Sequence, residues 1–339
     1  MSDPLLQVSG LGVRFPVRRR RFGAAPRWLT ALDDVHFEIE AGRSLGVVGE
    51  SGCGKSTLAR AILALVEPHA GEIRWRGVAV RRSDPSGLRR MRRELQVVFQ
   101  DPFGSLDPRM SIGESVAEAL DALEGLTEPA AVRSRVAAVL EEVGLDPSLA
   151  RRYPHELSGG QCQRAAIARA TVVRPRLLIC DEAVSALDVS VQAQIVNLLS
   201  ALSARHGMAL LFISHNLAVV RHLCDEVLVL YLGHVVERGP RESVFSTPRH
   251  PYTRALLAAV PEPDPASAPA AEPIDVLPGR SAAAADRGCI FRARCPHADA
   301  LCANQSPSLV EADPAHVTAC HHWEALEAWP ARSNRARSG

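Results

Sequence analysis

The stretch Gly49-Glu50-Ser51-Gly52-Cys53-Gly54-Lys55-Ser56-Thr57 restricts the possible folds more than any other part of the chain. It follows the compact apolar run Ser44–Val48, which reads as a buried strand. It opens a segment with Leu58, Ile62 and Leu65 at helical spacing and Pro68 just beyond. Strand, glycine loop and helix form the context in which Gly-x4-Gly-Lys-Ser binds phosphate. Gly49, Gly52 and Gly54 let the backbone curl, so that the amides around Ser51, Cys53 and Thr57 point inward as an anion nest. The helix start adds its positive end. Lys55 would reach the β- and γ-phosphates of a nucleotide, and Ser56 would ligate Mg²⁺. Composition singles out the same residue: of 39 Lys and Arg residues, only Lys55 is lysine. A narrow loop needs a compact ammonium on a thin stem, where guanidinium is a wide planar fork.

The wider pattern is α/β. Leu6–Phe15 and Val35–Ile39 alternate as short strands, with a basic, proline-containing insertion between them. Glu72–Arg76, Leu95–Phe99, Leu177–Cys180 and Leu210–Ile213 read as further strands. Helical spacing covers Ser111–Val143, split near Pro129 and ending at Gly144, then Gln161–Val172 and Val189–Ala204. Strands alternating with helices imply a mainly parallel sheet covered by helices. Residues 5–260 form this unit, with a helical part at about 101–156. A Pro- and Ala-rich linker over 261–285 leads to a Cys-rich module at 286–325 and a frayed tail at 330–339.

With 339 residues, one or two domains are expected. A net charge of +1 gives no global reason to expect nucleic acid, and Arg18–Arg21 reads as a solvated basic loop. No apolar run approaches the roughly 18–20 residues that span a bilayer, and the N-terminus lacks signal-peptide features. A cytoplasmic setting is expected, and there the eight cysteines need an explanation other than disulfides.

Two further motifs carry chemistry. Leu177-Leu178-Ile179-Cys180 ends in Asp181-Glu182, at the sheet edge where ligands bind in such folds. Asp181 would hold Mg²⁺ through water, and Glu182 would orient or deprotonate an attacking water. Leu157-Ser158-Gly159-Gly160-Gln161 opens a helix with Ser158 as its N-cap, a second phosphate-type terminus. Alone, it would read as an ordinary capping motif.

Together these residues carry a resemblance. Gly49–Thr57, Gln100, Leu157–Gln161, Asp181-Glu182, Ser185-Ala186-Leu187-Asp188 and His215 occur in the order found in ATP-binding-cassette (ABC) ATPases. The resemblance implies a P-loop nucleotide-binding fold: a mainly parallel sheet core, an antiparallel N-terminal β subdomain and a helical subdomain. It implies that two such subunits sandwich two ATP molecules, the glycine loop of one facing Ser158-Gly159-Gly160-Gln161 of the other. Gln100 would contact Mg²⁺ and report the γ-phosphate, Asp188 would lie at the dimer interface, and His215 would hold the γ-phosphate and the attacking water. Phe15 lies where the family places an aromatic on adenine, with Trp28 a rival.

Arg249-His250-Pro251-Tyr252-Thr253-Arg254-Ala255-Leu256-Leu257, Phe99–Arg109 and Asp181–Gln192 are similar to the oligopeptide/dipeptide importer branch, and Phe15-Pro16-Val17 with its basic insertion resembles the second of the two ATPases of that branch. That likeness implies a second ABC ATPase subunit as heterodimer partner, two membrane permease subunits and an extracytoplasmic substrate-binding protein, but no nucleic acid. It places the chain on the cytoplasmic face of a bacterial inner membrane. Cys162 departs from the Gln usual after the signature motif, with little consequence expected. Two other classes remain open: a soluble ABC mechanoenzyme, and a metal-sensing regulator that binds ATP without transport.

Cys289, Cys295, Cys302 and Cys320 crowd the tail at Cys-x5-Cys-x6-Cys-x17-Cys. Four thiolates suggest a metal site. The spacing is wider than in structural zinc sites, and the branch resemblance implies a 4Fe–4S cluster. Zinc and reduced structural cysteines are the alternatives, with His297, His316, His321 and His322 as spare ligands. A small loop-rich tail would gain most from such a staple.

Overall fold

The computed structural model describes residues 4–17, 27–185, 187–259 and 288–326. The Arg18–Arg21 loop, the 261–285 linker and the 330–339 tail lie outside the described residues.

The chain opens with a long antiparallel pair, β1 (Leu6–Val17) and β2 (Arg27–Ile39), then β3 (Ser44–Val48) and α1 (Lys55–Ile62). Next come β4 (Ala70–Trp75), β5 (Val78–Ala79), α2 (Pro85–Glu94) and β6 (Leu95–Val98). A helical stretch contains α3 (Pro102–Ser105), α4 (Ile112–Glu124), α5 (Pro129–Glu142) and α6 (Gly159–Thr171). The chain then alternates through β7 (Leu177–Asp181), α7 (Val189–His206), β8 (Ala209–Ile213), α8 (Leu217–Leu223) and β9 (Glu226–Tyr231). It ends with β10 (His234–Pro240), α9 (Arg241–Ser246), α10 (Pro251–Ala258), α11 (Ala300–Asn304), β11 (Val310–Asp313) and β12 (His316–Thr318).

Among the described residues there is a four-stranded sheet ordered β2-β1-β4-β5 and an eight-stranded sheet ordered β11-β12-β10-β9-β3-β8-β7-β6. In the larger sheet, β9, β3, β8, β7 and β6 run parallel. Every residue of β3, β7 and β8 is buried, as expected of parallel strands covered on both faces. Their side chains alternate between two cores. Leu177, Ile179, Leu211 and Ile213 pack with α1 and the small sheet. Leu178, Cys180, Leu210 and Phe212 pack with the helical side.

Local sequence explains most boundaries. Ser111 caps α4 in a capping box with Glu114, and Gly125 ends it in the left-handed conformation. Pro129 starts α5 with Glu128 accepting from two amides. β9, β10 and α2 were not anticipated from the sequence. Pro85–Glu94 is dominated by arginine and offers only Leu88 and Met91 to the core, and its start is marked by Pro85 and by Asp84, which accepts from the Gly87 amide.

The Cys-bearing segment that follows the linker packs on the main sheet. β12 pairs antiparallel with β10, Glu237 opposite Thr318, so the tail extends the main sheet. β10 would otherwise present an unpaired edge, and β12 covers it. The segment also buries core: Phe291 is 1% exposed, and Cys289 and Cys302 join the larger core. A buried polar knot fixes the junction. The carboxylate of Glu237 accepts from the amides of Arg249 and His250 and lies 2.7 Å from His316 Nε2, with both side chains fully buried.

Candidate active site

The glycine loop joins the C-terminal end of β3 to the N-terminus of α1. Gly49 sits at φ 154, and a Cβ there would lie 2.2 Å from the Leu230 carbonyl oxygen, so only glycine fits. Lys55 is 4% exposed, and its Nζ donates to the carbonyls of Gly49 (2.8 Å) and Glu50 (3.0 Å). The ammonium thus stands inside the loop. Ser51 and Gly52 are exposed at the loop's crest, while Cys53 is buried beneath it, where desolvation pushes its thiol up.

Parallel register brings β7 beside β6 and β8, and their C-terminal ends meet the loop. Ser56 Oγ donates to Asp181 Oδ1 at 3.1 Å. Burial pushes the Asp181 carboxyl up, and the Ser56 hydrogen bond opposes this. A hydroxyl and a carboxylate side by side form a hard oxygen set, which suits Mg²⁺. Glu182 follows in the left-handed region, φ 50, an uncommon conformation for a residue with a side chain. Its amide donates to Ile213 O at 2.9 Å. Strained backbone of this kind concentrates at functional sites. The twist places Glu182 Oε1 3.9 Å from Lys55 Nζ and 3.6 Å from His215 Nδ1. Ser56, Asp181, Glu182, Lys55 and His215 therefore converge. Gln100 is exposed just past β6, whose last residue Val98 registers with Cys180 beside Asp181.

Ser158–Gln161 forms the start of α6. Ser158 Oγ accepts from the Gln161 amide at 3.3 Å, while Gln161 Oε1 accepts from the Ser158 amide at 3.0 Å. Gly160 packs on Val191, so closely that a Cβ would meet its Cγ1 at 2.8 Å. Gly159, Gly160 and Asp188 thus flank the start of α7, where Asp188 accepts from the Val191 amide. Cys162 is buried and its thiol donates to Pro154 O at 3.3 Å, pointing away from the exposed helix start. Phe15 and Trp28 lie on the open end of the β1–β2 pair, 37% and 50% exposed. Arg14 covers one face of Trp28 at 4.9 Å, leaving Phe15 the less encumbered ring. β2 reaches the loop through Gly233, which accepts from Asp33 N and donates to Cys53 O.

One loop residue and two of its neighbours received no role at this site from the sequence: Glu50, and Tyr252 and Arg294 beside it. The Glu50 amide donates to Tyr252 Oη at 2.8 Å, and Arg294 clasps the Glu50 carboxylate. Tyr252 lies in a stretch already marked by its resemblance, whereas no local pattern marks Glu50 or Arg294.

The four tail cysteines are unpaired and partly or fully buried. Burial raises Cys320 to about 11, with the charges of Cys295, Cys289 and Cys302 adding to the shift. Asp299, Cys302 and His322 also bring ligand atoms within 4.8 Å of one another.

Residues 32–185 match the ABC transporter family, and residues 236–302 match the C-terminal region of oligopeptide/dipeptide transporters. The chain is 49% identical to the oligopeptide transport ATP-binding protein OppF of Haemophilus influenzae, over 94% of this chain and 97% of that protein. It is 48% identical to OppF of Escherichia coli, over 93% and 95%. Among solved structures, CbiO1 of Clostridium perfringens, part of an ABC transporter complex, aligns with TM-score 0.61 and 27% identity, over 72% of this chain and 91% of that one. An ATP-binding cassette solved as a post-hydrolysis dimer with ADP and Pi aligns equally well, over 70% and 98%. With this site geometry and these matches along nearly its whole length, the chain belongs to the ATP-binding subunits of ABC transporters, in the oligopeptide/dipeptide branch.

Proposed function

We propose that this chain hydrolyses ATP to drive import of di- or oligopeptides through separate permease subunits. The observation that carries this reading is the convergence of Lys55, Ser56, Asp181, Glu182 and His215 on one loop, in a chain that continues into the peptide-transporter C-terminal region. Lys55 and the loop amides bind the β- and γ-phosphates. Ser56 and Asp181, with Gln100, hold Mg²⁺. Glu182 takes a proton from the attacking water, and His215 steadies that water and the γ-phosphate. Phe15 stacks on adenine.

Ser158–Gln161 and Asp188, at the capped starts of α6 and α7, serve the partner's nucleotide. Closure of two cassettes around ATP, and reopening after hydrolysis, is the stroke passed to the permeases. A second, non-identical ATPase completes the pair, and an extracytoplasmic binding protein selects the peptide. Among the described residues no helix is long and apolar enough to cross a membrane, so passage of the substrate falls to other chains.

Cys289, Cys295, Cys302 and Cys320 hold a 4Fe–4S cluster in this reading. Four unpaired cysteines in one folded segment, Cys289 and Cys302 buried and Cys295 and Cys320 partly so, are what favours it. Bound there, the cluster would staple the tail and supply a redox-active centre. The Asp299, Cys302 and His322 group favours a second reading, a zinc ion with mixed ligands. His316 is already committed to Glu237.

One preparation tests both levels: the chain purified anaerobically from its host membranes in mild detergent. Two permease subunits and a second ATPase should accompany it, with about four irons and four sulfides per chain. Zinc without iron would replace the cluster with the mixed site. A chain that leaves the membrane alone would overturn the transport reading.

A further inference from the structure

The tail reaches the phosphate loop through one side chain. Arg294 Nη1 donates to Glu50 Oε2 at 2.8 Å, and Nη2 donates to Glu50 Oε1 at 2.7 Å. Glu50 directly follows Gly49, and its carbonyl is one of the two that receive Lys55 Nζ. The Glu50 carboxylate is therefore fixed charge at the rim of a nest built to receive phosphates. Left loose, it would repel them. Paired and bidentate, it is neutralised and turned aside.

Arg294 is built to stay in place. Its side chain is 14% exposed, and its guanidinium lies 5.7 Å from the ring centroids of Tyr231 and Phe291 and 6.0 Å from that of Tyr252. Tyr252 Oη accepts from the Glu50 amide, so one cluster grips both the backbone and the side chain of this loop residue. Hydrogen bonding to Glu50 leads the effects that hold the guanidinium firmly charged. Tyr252 and Phe291 come from opposite sides of the linker, and Arg294 immediately precedes Cys295. The peptide that carries the tail cysteines therefore also touches the nucleotide loop.

We infer that Arg294 is a positioning residue for the nucleotide site: it neutralises and orients Glu50, and through it the carboxy-terminal segment sets the affinity of the glycine loop for ATP. This rests on the assignment of Gly49–Thr57 as the ATP site. Its electrostatic sense makes it specific. Removing Arg294 releases an anion beside the phosphates, and removing the Glu50 charge as well takes that anion away.

The test is equilibrium titration of the full-length chain with the fluorescent analogue TNP-ATP, with thermal melts alongside. Saturable binding by the unsubstituted chain verifies the ATP site independently of Arg294. Arg294→Gln should weaken binding about tenfold, and the loss should shrink as salt screens the released anion. Arg294→Gln combined with Glu50→Gln should recover most of that loss. Arg294→Lys, which keeps charge but not the fork, should fall between. If the loss in Arg294→Gln is unchanged or deepened by Glu50→Gln, or if the folded Arg294→Gln chain binds as tightly as the unsubstituted one, the inference fails. A lowered melting temperature with unaltered affinity would mark Arg294 as purely structural and would also overturn it.

Discussion

Lys55 shows how far a single residue can be read. Its isolation among 38 arginines pointed to a place where only a thin ammonium fits. The structure puts Nζ within hydrogen-bond reach of two loop carbonyls, and the side chain is nearly buried. A guanidinium would press its fork against Gly49 and Glu50. Lys55→Arg is therefore expected to lower kcat/KM for ATP by roughly 100-fold or more, about 2.7 kcal/mol of transition-state stabilisation. Steady-state phosphate release measures this, and wild-type turnover would make the scarcity of lysine incidental. The chemistry of Lys55, Ser56, Asp181 and Glu182 was legible because each occupies a fixed place in a local motif. The left-handed backbone at Glu182 was not, since nothing in Cys180-Asp181-Glu182-Ala183 signals positive φ. Glu50 and Arg294 were illegible for another reason: their pairing joins positions 244 residues apart.

At the scale of elements, strongly apolar strands and capped helices followed from sequence. β3 was placed at its observed ends, and the division of the helical stretch at Pro129 was recovered. β10 and β12 were not anticipated: β12 has only three residues, β10 carries Glu237, Arg238 and Gly239 within it, and their pairing is long-range. Helix α10 shows how one cap ties this region to pH. His250 is its N-cap, and Nδ1 accepts from the Tyr252 amide at 3.0 Å. That acceptor exists only on a neutral ring, and burial pushes His250 from 6.5 down to about 3. A depressed pKa means the unfolded chain takes the proton first. The stabilisation is full above about pH 6.5 and is lost as pH falls towards 3. One unit of acidification below the unfolded value costs about 1 kcal/mol, or ~2–4 °C in melting temperature. His250→Asn keeps a capping acceptor without a titrating proton. Melts across this range should show a flatter acid limb for that variant, and an unchanged slope would remove His250 as its cause.

At the scale of the whole molecule, one central sheet gathers the active site and the tail. Strands β6, β7, β8 and β3 deliver Gln100, Asp181-Glu182, His215 and the glycine loop to one edge. Beyond β9 and β10, the same sheet takes in β12 and with it the cysteine-bearing segment. Composition had suggested an appended module, because a Pro- and Ala-rich stretch interrupts the pattern before the cysteines. The burial of Phe291 and the Glu237–His316 pair instead make the tail part of the cassette. A general base at Glu182 is the claim on which the mechanism turns. Phosphate release by Glu182→Gln at saturating ATP and Mg²⁺ tests it most directly. Release should fall by about 10²–10⁴-fold while ATP stays bound, whereas release at the unsubstituted rate would contradict the assignment of Glu182 as the base.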